Sequence, residues 1–321
     1  MKVKHSKIAI VGAGAVGSST AFCLLNHSLC DEIVLIDQKH ERAVGEALDL
    51  AQSVEYLGRN TQVSAGRYAD CGDADIVVIT ASLPVDAGNS RLNMLDSSAK
   101  IVQSIVPPIM ESGFDGIFIV ITNPVDIMSY YVWQLSGMPK GQVIGTGTVL
   151  DSARLKWLIG DLLHVDPRSV HGFTMGEHGD SQMVPWSAII AGGKPFLDIL
   201  RDNPERLGEV ELQDLVHKTV CAGWEIANRK GTTNYAIAAS TTAIIQAILH
   251  NENRILPVSI LLNGEYGEQD VFASVPAVIN RQGIKEVVQL HLQDSEQERF
   301  HRSIEVIREY TQKLPPAERP R

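Results

Sequence analysis

The short apolar run Ile8-Ala9-Ile10-Val11 leads straight into Gly12-Ala13-Gly14-Ala15-Val16-Gly17, and this junction constrains the chain more than any other segment. Aliphatic residues on successive positions suit a strand covered on both faces. The three glycines then have separate tasks. Gly12 permits a tight turn, Gly14 lets the backbone approach a ligand, and Gly17 lets a helix pack closely on the strand. Such spacing also occurs in ordinary turns. Here, however, it follows a strand pattern, opens a helical one, and is followed by Asp37 at the end of the next apolar run. That is the context of a phosphate-binding turn. The N–H groups of the helix start, with Val16 in its first turn, would face a pyrophosphate. Asp37 would bond ribose hydroxyls and repel a 2′-phosphate, so NAD is the expected cofactor rather than NADP.

The alternation of elements extends this reading. Strand patterns occupy residues 7–11, 32–37, 62–65, 76–80, 116–121 and 142–144, with helical patterns at 15–26, 41–56, 92–111 and 125–135. This order predicts an α/β fold, a doubly wound parallel sheet of the Rossmann type. After about residue 147 the order changes. A helical stretch at 150–163 precedes short strands at 170–174, 258–262, 271–279 and 284–288. Long helical segments at 209–229 and 235–250 lie among them, and a charged helical tail at 294–313 stops at Pro315-Pro316. The expectation is an NAD-binding domain over residues 1–147 and an α+β substrate-binding domain over 148–321. A length of 321 residues suits two domains sharing a cleft.

Composition narrows the partners. The formal net charge is −10, which argues against nucleic acid or an anionic membrane surface as the main partner. An anionic substrate must then be held by local cations. Cys23, Cys30, Cys71 and Cys221 show neither CxxC spacing nor a paired histidine cluster, so neither zinc nor a disulfide framework is expected. No apolar run approaches the ~20 residues that span a bilayer. Free thiols fit a reducing compartment, and the cytoplasm is the expected location. Only six residues precede the first predicted strand, so no long N-terminal arm is expected to wrap a neighbour.

Three further segments carry residues suited to chemistry. Gly176-Glu177-His178-Gly179-Asp180 puts a histidine between glycines after a strand pattern, as an exposed turn at a cleft would. Histidine titrates near neutrality and suits proton exchange with a substrate hydroxyl. His171 competes for that role on local grounds. Asp151-Ser152-Ala153-Arg154 opens a helical segment, where the acid can complement the helix dipole and pair with Arg154. The same spacing puts both on one helix face, where the acid can hold a histidine tautomer and the guanidinium can clamp a carboxylate. Residues 80–91 form a polar loop with Gly and Pro at the end of a sheet strand, a candidate lid in which Arg91 is the sole cation.

Taken in order, these pieces resemble the L-lactate/malate dehydrogenase family from about residue 7 to about residue 313. The set is GAGAVG, Asp37, the GNSRLNML segment, Ile121-Thr122-Asn123-Pro124-Val125-Asp126, the run from Gly145 through Arg154, and Met175-Gly176-Glu177-His178-Gly179-Asp180. The closest likeness is to L-lactate and L-2-hydroxyisocaproate dehydrogenases. The resemblance implies hydride transfer between NAD and a small 2-oxo or 2-hydroxy acid. It implies His178 as acid/base with Asp151 as its partner, Arg154 on the substrate carboxylate, and Arg91 polarising the carbonyl. Asn123 would sit by the nicotinamide ribose and Thr233 near the substrate tail. It also implies a homodimer or homotetramer.

One position departs from the pattern. The lid residue six before the lid arginine is usually glutamine in the lactate enzymes and arginine in the malate enzymes. Here it is Val85. Malate is thereby disfavoured, and tails larger than methyl are expected. A lactate dehydrogenase proper with an unusual lid stays open as an alternative, as does an NAD-binding redox sensor without catalysis. In fructose-bisphosphate-activated bacterial relatives, an arginine at the position of Lys156 and a histidine at that of His171 bind the effector. The resemblance thus makes Lys156 and His171 a candidate effector site.

Overall fold

The computed structural model describes residues 5–82 and 91–317, the side chains of residues 91–93 apart. Strand β1 (Lys7–Val11) is buried along its whole length and hands over at the glycine turn to α1 (Ala15–Asn26). Then follow β2 (Glu32–Ile36), α2 (His40–Ser53), β3 (Gln62–Ala65), β4 (Ile76–Ile79), α3 (Arg91–Glu111), β5 (Ile117–Val120), α4 (Val125–Ser136) and β6 (Val143–Gly145). These six strands pair in parallel, with β1 between β2 and β4. From the β1–β4 junction the chain winds outward both ways, so the turns after these two strands open into one crevice, where doubly wound sheets bind ligands.

The second half contains α5 (Val149–Leu163), β7 (Val170–His171), β8 (Ile190–Ala191), β9 (Lys194–Pro195), α6 (Phe196–Asp202), α7 (Pro204–Leu207), α8 (Leu212–Lys230) and α9 (Tyr235–Leu249). Strands β10 (Arg254–Asn263), β11 (Gln269–Asn280) and β12 (Gly283–Val287), and helix α10 (Asp294–Thr311), complete it. The last three strands do not form a separate sheet. β10 pairs antiparallel with β6, Ser259 opposite Gly145, and extends the parallel sheet to nine strands in the order β12-β11-β10-β6-β5-β4-β1-β2-β3.

Several boundaries differ from expectation. The strand expected at 170–174 ends at His171, because its only partner is the two-residue β8 in a small three-stranded sheet. Conversely, β10 and β11 outrun their expected spans, since their mutual ladder continues from Arg254↔Ile279 to Asn263↔Gln269 beyond the buried middle. The expected helix at 41–56 ends as α2 at Ser53 and continues only as a 3-10 turn over Val54–Tyr56.

Two apolar clusters hold the chain. The larger covers both faces of the nine-stranded sheet, including Ile8, Ile10, Leu35, Val78, Phe118 and Phe272. The smaller joins α5 to the three-stranded sheet and α8 through Leu155, Ile159, Val184, Trp186, Phe196 and Leu215, with Trp186 stacked on Phe196 at 5.7 Å. Packing of α5 into this cluster fixes the helix whose first turn carries Asp151.

Candidate active site

The glycine turn has the shape its spacing predicts. Gly12 sits at φ +107°, and a Cβ there would lie 2.6 Å from Thr80 Oγ1 and 2.7 Å from Ala81 N. A Cβ on Gly17 would stand 1.9 Å from the Gly12 carbonyl oxygen, so helix and strand touch there. At Gly14 the opposite holds, since an added Cβ meets nothing within 4 Å among the described residues. Gly14 is the N-cap of α1, and among the described residues no side chain caps that helix, which leaves its dipole end open to an anion. Asp37, just beyond β2, accepts from Ala13 N at 2.9 Å and from Lys39 N at 2.8 Å. An acidic side chain is thus fixed beside the open turn, and Val16 is half-buried in the first turn of α1. This donor set and open backbone fit a dinucleotide.

The turn bearing His178 is held by three elements. Gly176 exchanges two backbone bonds with Ser274 of β11, each 2.9 Å. Glu177 N donates to Ser303 Oγ of α10 at 2.8 Å. His178 N donates to Asp126 Oδ2, in the first turn of α4, at 2.7 Å. Three successive residues are therefore tied to a strand and two helices.

The imidazole is fixed as firmly as its backbone. Asp151 is 1% exposed, and its Oδ2 lies 2.5 Å from His178 Nδ1. Its Oδ1 accepts from Arg154 Nη1 at 2.9 Å. One carboxylate therefore serves both cations, pairing with Arg154 and holding the histidine. With Nδ1 committed to Asp151, Nε2 is the nitrogen left for proton exchange. Burial opposes charge on this ring, but the charge and hydrogen bond of Asp151 outweigh it, and Asp126 adds to them against Arg154. The His178 pKa is thereby pushed up to about 9. Burial would raise Asp151, yet His178 and Arg154 hold its carboxyl below the ordinary value. Gly223 of α8 faces Arg154, and a Cβ there would lie 3.4 Å from Nη2.

The remaining expected residues lie variously. Asn123 is exposed after β5, and its carbonyl accepts from Ser98 Oγ of α3 at 2.7 Å. Thr233 is half-buried in the loop between α8 and α9. The next residue, Asn234, donates to Ser19 Oγ of α1 at 2.8 Å, which ties that loop to the helix of the glycine turn. Arg91 opens α3, its side chain lying outside what the structure describes, and Val85 lies outside the described residues altogether. His171 is exposed on β7, and it is His178 that meets Asp151. Lys156 sits over the Phe173 ring, 5.4 Å from its centroid. Asp126, Ser274, Ser303, Gly223 and Asn234 carried no assigned role in the sequence. Of these, only Asp126 in the NPVD run and Asn234, beside Thr233 in Gly231-Thr232-Thr233-Asn234-Tyr235, lay in runs the sequence marked.

A dinucleotide-binding turn and a histidine–aspartate–arginine cluster in one chain suit a nicotinamide-dependent oxidoreductase. Residues 6–145 match the family model described as lactate/malate dehydrogenase, NAD binding domain, and residues 148–314 match its alpha/beta C-terminal domain. The chain belongs to the lactate/malate dehydrogenase family and is an NAD-dependent dehydrogenase acting on the CH–OH group of 2-hydroxy acids. It is 53% identical over 310 residues to L-lactate dehydrogenase 3 of Bacillus thuringiensis subsp. konkukian, covering 97% of this chain and 98% of that one. It is 46% identical over 312 residues to L-lactate dehydrogenase 1 of Bifidobacterium longum, covering 97% and 99%. Among solved structures, the minor L-lactate dehydrogenase of Enterococcus mundtii in its ligands-bound form superposes with a TM-score of 0.93 at 43% identity, over 97% of this chain and 99% of that one.

Proposed function

We propose that the chain reversibly reduces 2-oxo acids to L-2-hydroxy acids and accepts apolar tails larger than methyl. The observation that carries the reaction is the single buried carboxylate of Asp151, held between His178 and Arg154. NADH, when bound, supplies the hydride. His178 gives its Nε2 proton to the carbonyl oxygen in reduction and takes it back in oxidation. Asp151 fixes the ring and stabilises its charged form. Arg154 turns its fork to the substrate carboxylate. Arg91 stabilises charge developing on the carbonyl oxygen. Gly12, Gly14, Val16, Gly17 and Asp37 hold the dinucleotide, Asn123 the nicotinamide ribose, and Thr233 and Val85 border the tail. Residues 1–147 serve the cofactor and 148–321 the substrate.

NADH oxidation followed spectrophotometrically with pyruvate, 2-oxoisocaproate, phenylpyruvate and oxaloacetate tests this reading. The larger apolar acids are expected to match or exceed pyruvate, with oxaloacetate poorest. Pyruvate used well with the larger acids excluded makes the chain an L-lactate dehydrogenase proper, the reading that its relatives' names support. Turnover of none of the four overturns the proposed substrate range.

The same reading includes self-association as a dimer or tetramer, which exposed Trp157 and Trp224 support, and residence in the cytoplasm. Among the described residues no helix is long and apolar enough to cross a membrane. A second reading concerns regulation by an anion at Lys156 and His171. Burial and the charge of Arg254 both hold the Lys156 pKa below its ordinary value, a strain that a bound phosphate would relieve. Unchanged KM for the oxo acid with fructose bisphosphate, in the unmodified protein and in Lys156→Ala alike, disposes of it.

A further inference from the structure

The acid/base reading leaves one buried carboxylate beside His178 without a task. Asp126 is 2% exposed and lies in the first turn of α4, 25 residues before Asp151 and on a different helix. Its Oδ2 accepts the His178 N–H at 2.7 Å, and its Oδ1 is 3.4 Å from Ser274 Oγ. A buried carboxylate is costly to keep charged, and a backbone N–H with a neutral hydroxyl is thin compensation. Its position is nonetheless telling, because Asp151 grips the ring at Nδ1 while Asp126 grips the same residue's main chain.

We infer that Asp126 is a positioning residue, a second anion that anchors the His178 turn by its backbone and stabilises the protonated imidazole. The inference rests on His178 being the acid/base. Among the described residues, the charged and titratable groups around the ring are Asp151 and Arg154 from α5, Asp126 from α4, and Glu177 from the turn itself. The contacts that β11 and α10 make with the turn, Ser274 and Ser303, are neutral. The charge of Asp126, held at the backbone of the same residue, favours the charged form of the ring, so its removal lowers the His178 pKa. Burial pushes the Asp126 carboxyl up to about 6, against the pull of Ser259 and of the His178 N–H and charge, which leaves it ionised through the range where His178 titrates.

Asp126→Asn is the decisive variant. The amide oxygen can still accept from His178 N and its NH2 can face Ser274, so the shape survives and the charge is lost. Asp126→Ser is a second neutral variant should the first not fold. The His178 ring is titrated directly by NMR of histidine-labelled protein, its signal identified by its absence in His178→Asn. NADH binding reports folding, and the pH profile of reductive kcat/KM is measured alongside. The expected result is a His178 pKa lower by about one unit, an equal acid shift of the reductive limb, and a loss of reductive kcat/KM that reaches about tenfold only above the limb, with NADH affinity unchanged. An unshifted ring pKa in both neutral variants overturns the role of Asp126. A shifted ring pKa with an unshifted kinetic limb supports Asp126 but shows that His178 is not the acid/base, so the two ideas fail separately.

Discussion

Asp151 and His178 meet at 2.5 Å through Oδ2 and Nδ1, with the carboxylate side chain 2% exposed and the ring 25% exposed. The arrangement puts the fixed charge inside and the exchanging nitrogen at the cleft. It also means that Arg154, bonded to the other oxygen of Asp151, shares that charge with the histidine. When a substrate carboxylate takes up part of the guanidinium, Asp151 is left more fully to His178. Binding of an oxo acid and retention of the proton are therefore expected to reinforce each other.

The pH dependence follows from the sign of the two shifts. His178 is raised to about 9, so reduction should hold level below that pH and fall above it, while oxidation should rise toward it. The same shift contributes stability fully below the unfolded histidine pKa of about 6.5, and this stability is lost as pH rises through about 9. Asp151 is depressed, so its contribution disappears instead as pH falls. Asp151→Asn should move the reductive limb about 1–3 units toward acid. Profiles of kcat/KM in both directions check this, and two limbs governed by different groups would contradict it.

The glycines make a contrasting pair. Gly14→Ala adds a Cβ into open space, so thermal stability should hardly change while the Kd for NADH rises. Gly17→Ala drives a Cβ onto the Gly12 carbonyl, and should cost about 1–3 kcal/mol of stability. Thermal melts beside fluorescence titration with NADH separate the two effects. Equal loss of Tm in both variants would mean that Gly14 is structural.

Asp37, the residue proposed to set cofactor choice, has its carboxylate pinned by the N–H groups of Ala13 and Lys39. A 2′-phosphate beside this anion is repelled, so NAD should exceed NADP in kcat/KM. Asp37→Ser keeps a hydroxyl for the ribose and removes the charge, and should narrow the gap by about one to two orders of magnitude. Equal use of both cofactors by the unmodified protein counts against the assignment.

What the sequence discloses depends on range. The glycine turn and the alternation around it are local, and β1, α1 and β3 appear at their expected residues. Asp151 and His178 are 27 residues apart, so spacing could nominate each but not join them, and motif order made the link. The Asp126–His178 bond spans 52 residues and ends on a backbone N–H, which no residue pattern encodes. Likewise Ser274 and Ser303 are unremarkable serines until β11 and α10 bring them to the turn. The joining of β10 to β6 through Ser259 and Gly145 is of the same kind. Strands of two residues and a helix of four are simply too short to show a period.

Val85 is the position through which the proposed substrate preference is tested. If this side chain borders the tail pocket, each added methylene on the substrate should be rewarded modestly, since apolar pockets discriminate one methylene by ~1–3 kcal/mol. Branched 2-oxo acids should then equal or exceed pyruvate in kcat/KM. Val85→Arg supplies a cation for a second carboxylate. It should raise activity on oxaloacetate and depress it on apolar acids, which would leave the new charge buried and unpaired. The thermodynamic argument is asymmetric, because a dicarboxylate gains a partner while an apolar tail gains a desolvated charge. Their ratio should therefore move further than either rate alone. Steady-state kinetics of both proteins on pyruvate, 2-oxoisocaproate and oxaloacetate measure that ratio. An unchanged preference between oxaloacetate and 2-oxoisocaproate means that Val85 does not face the substrate, and that the departure at this position has no bearing on specificity.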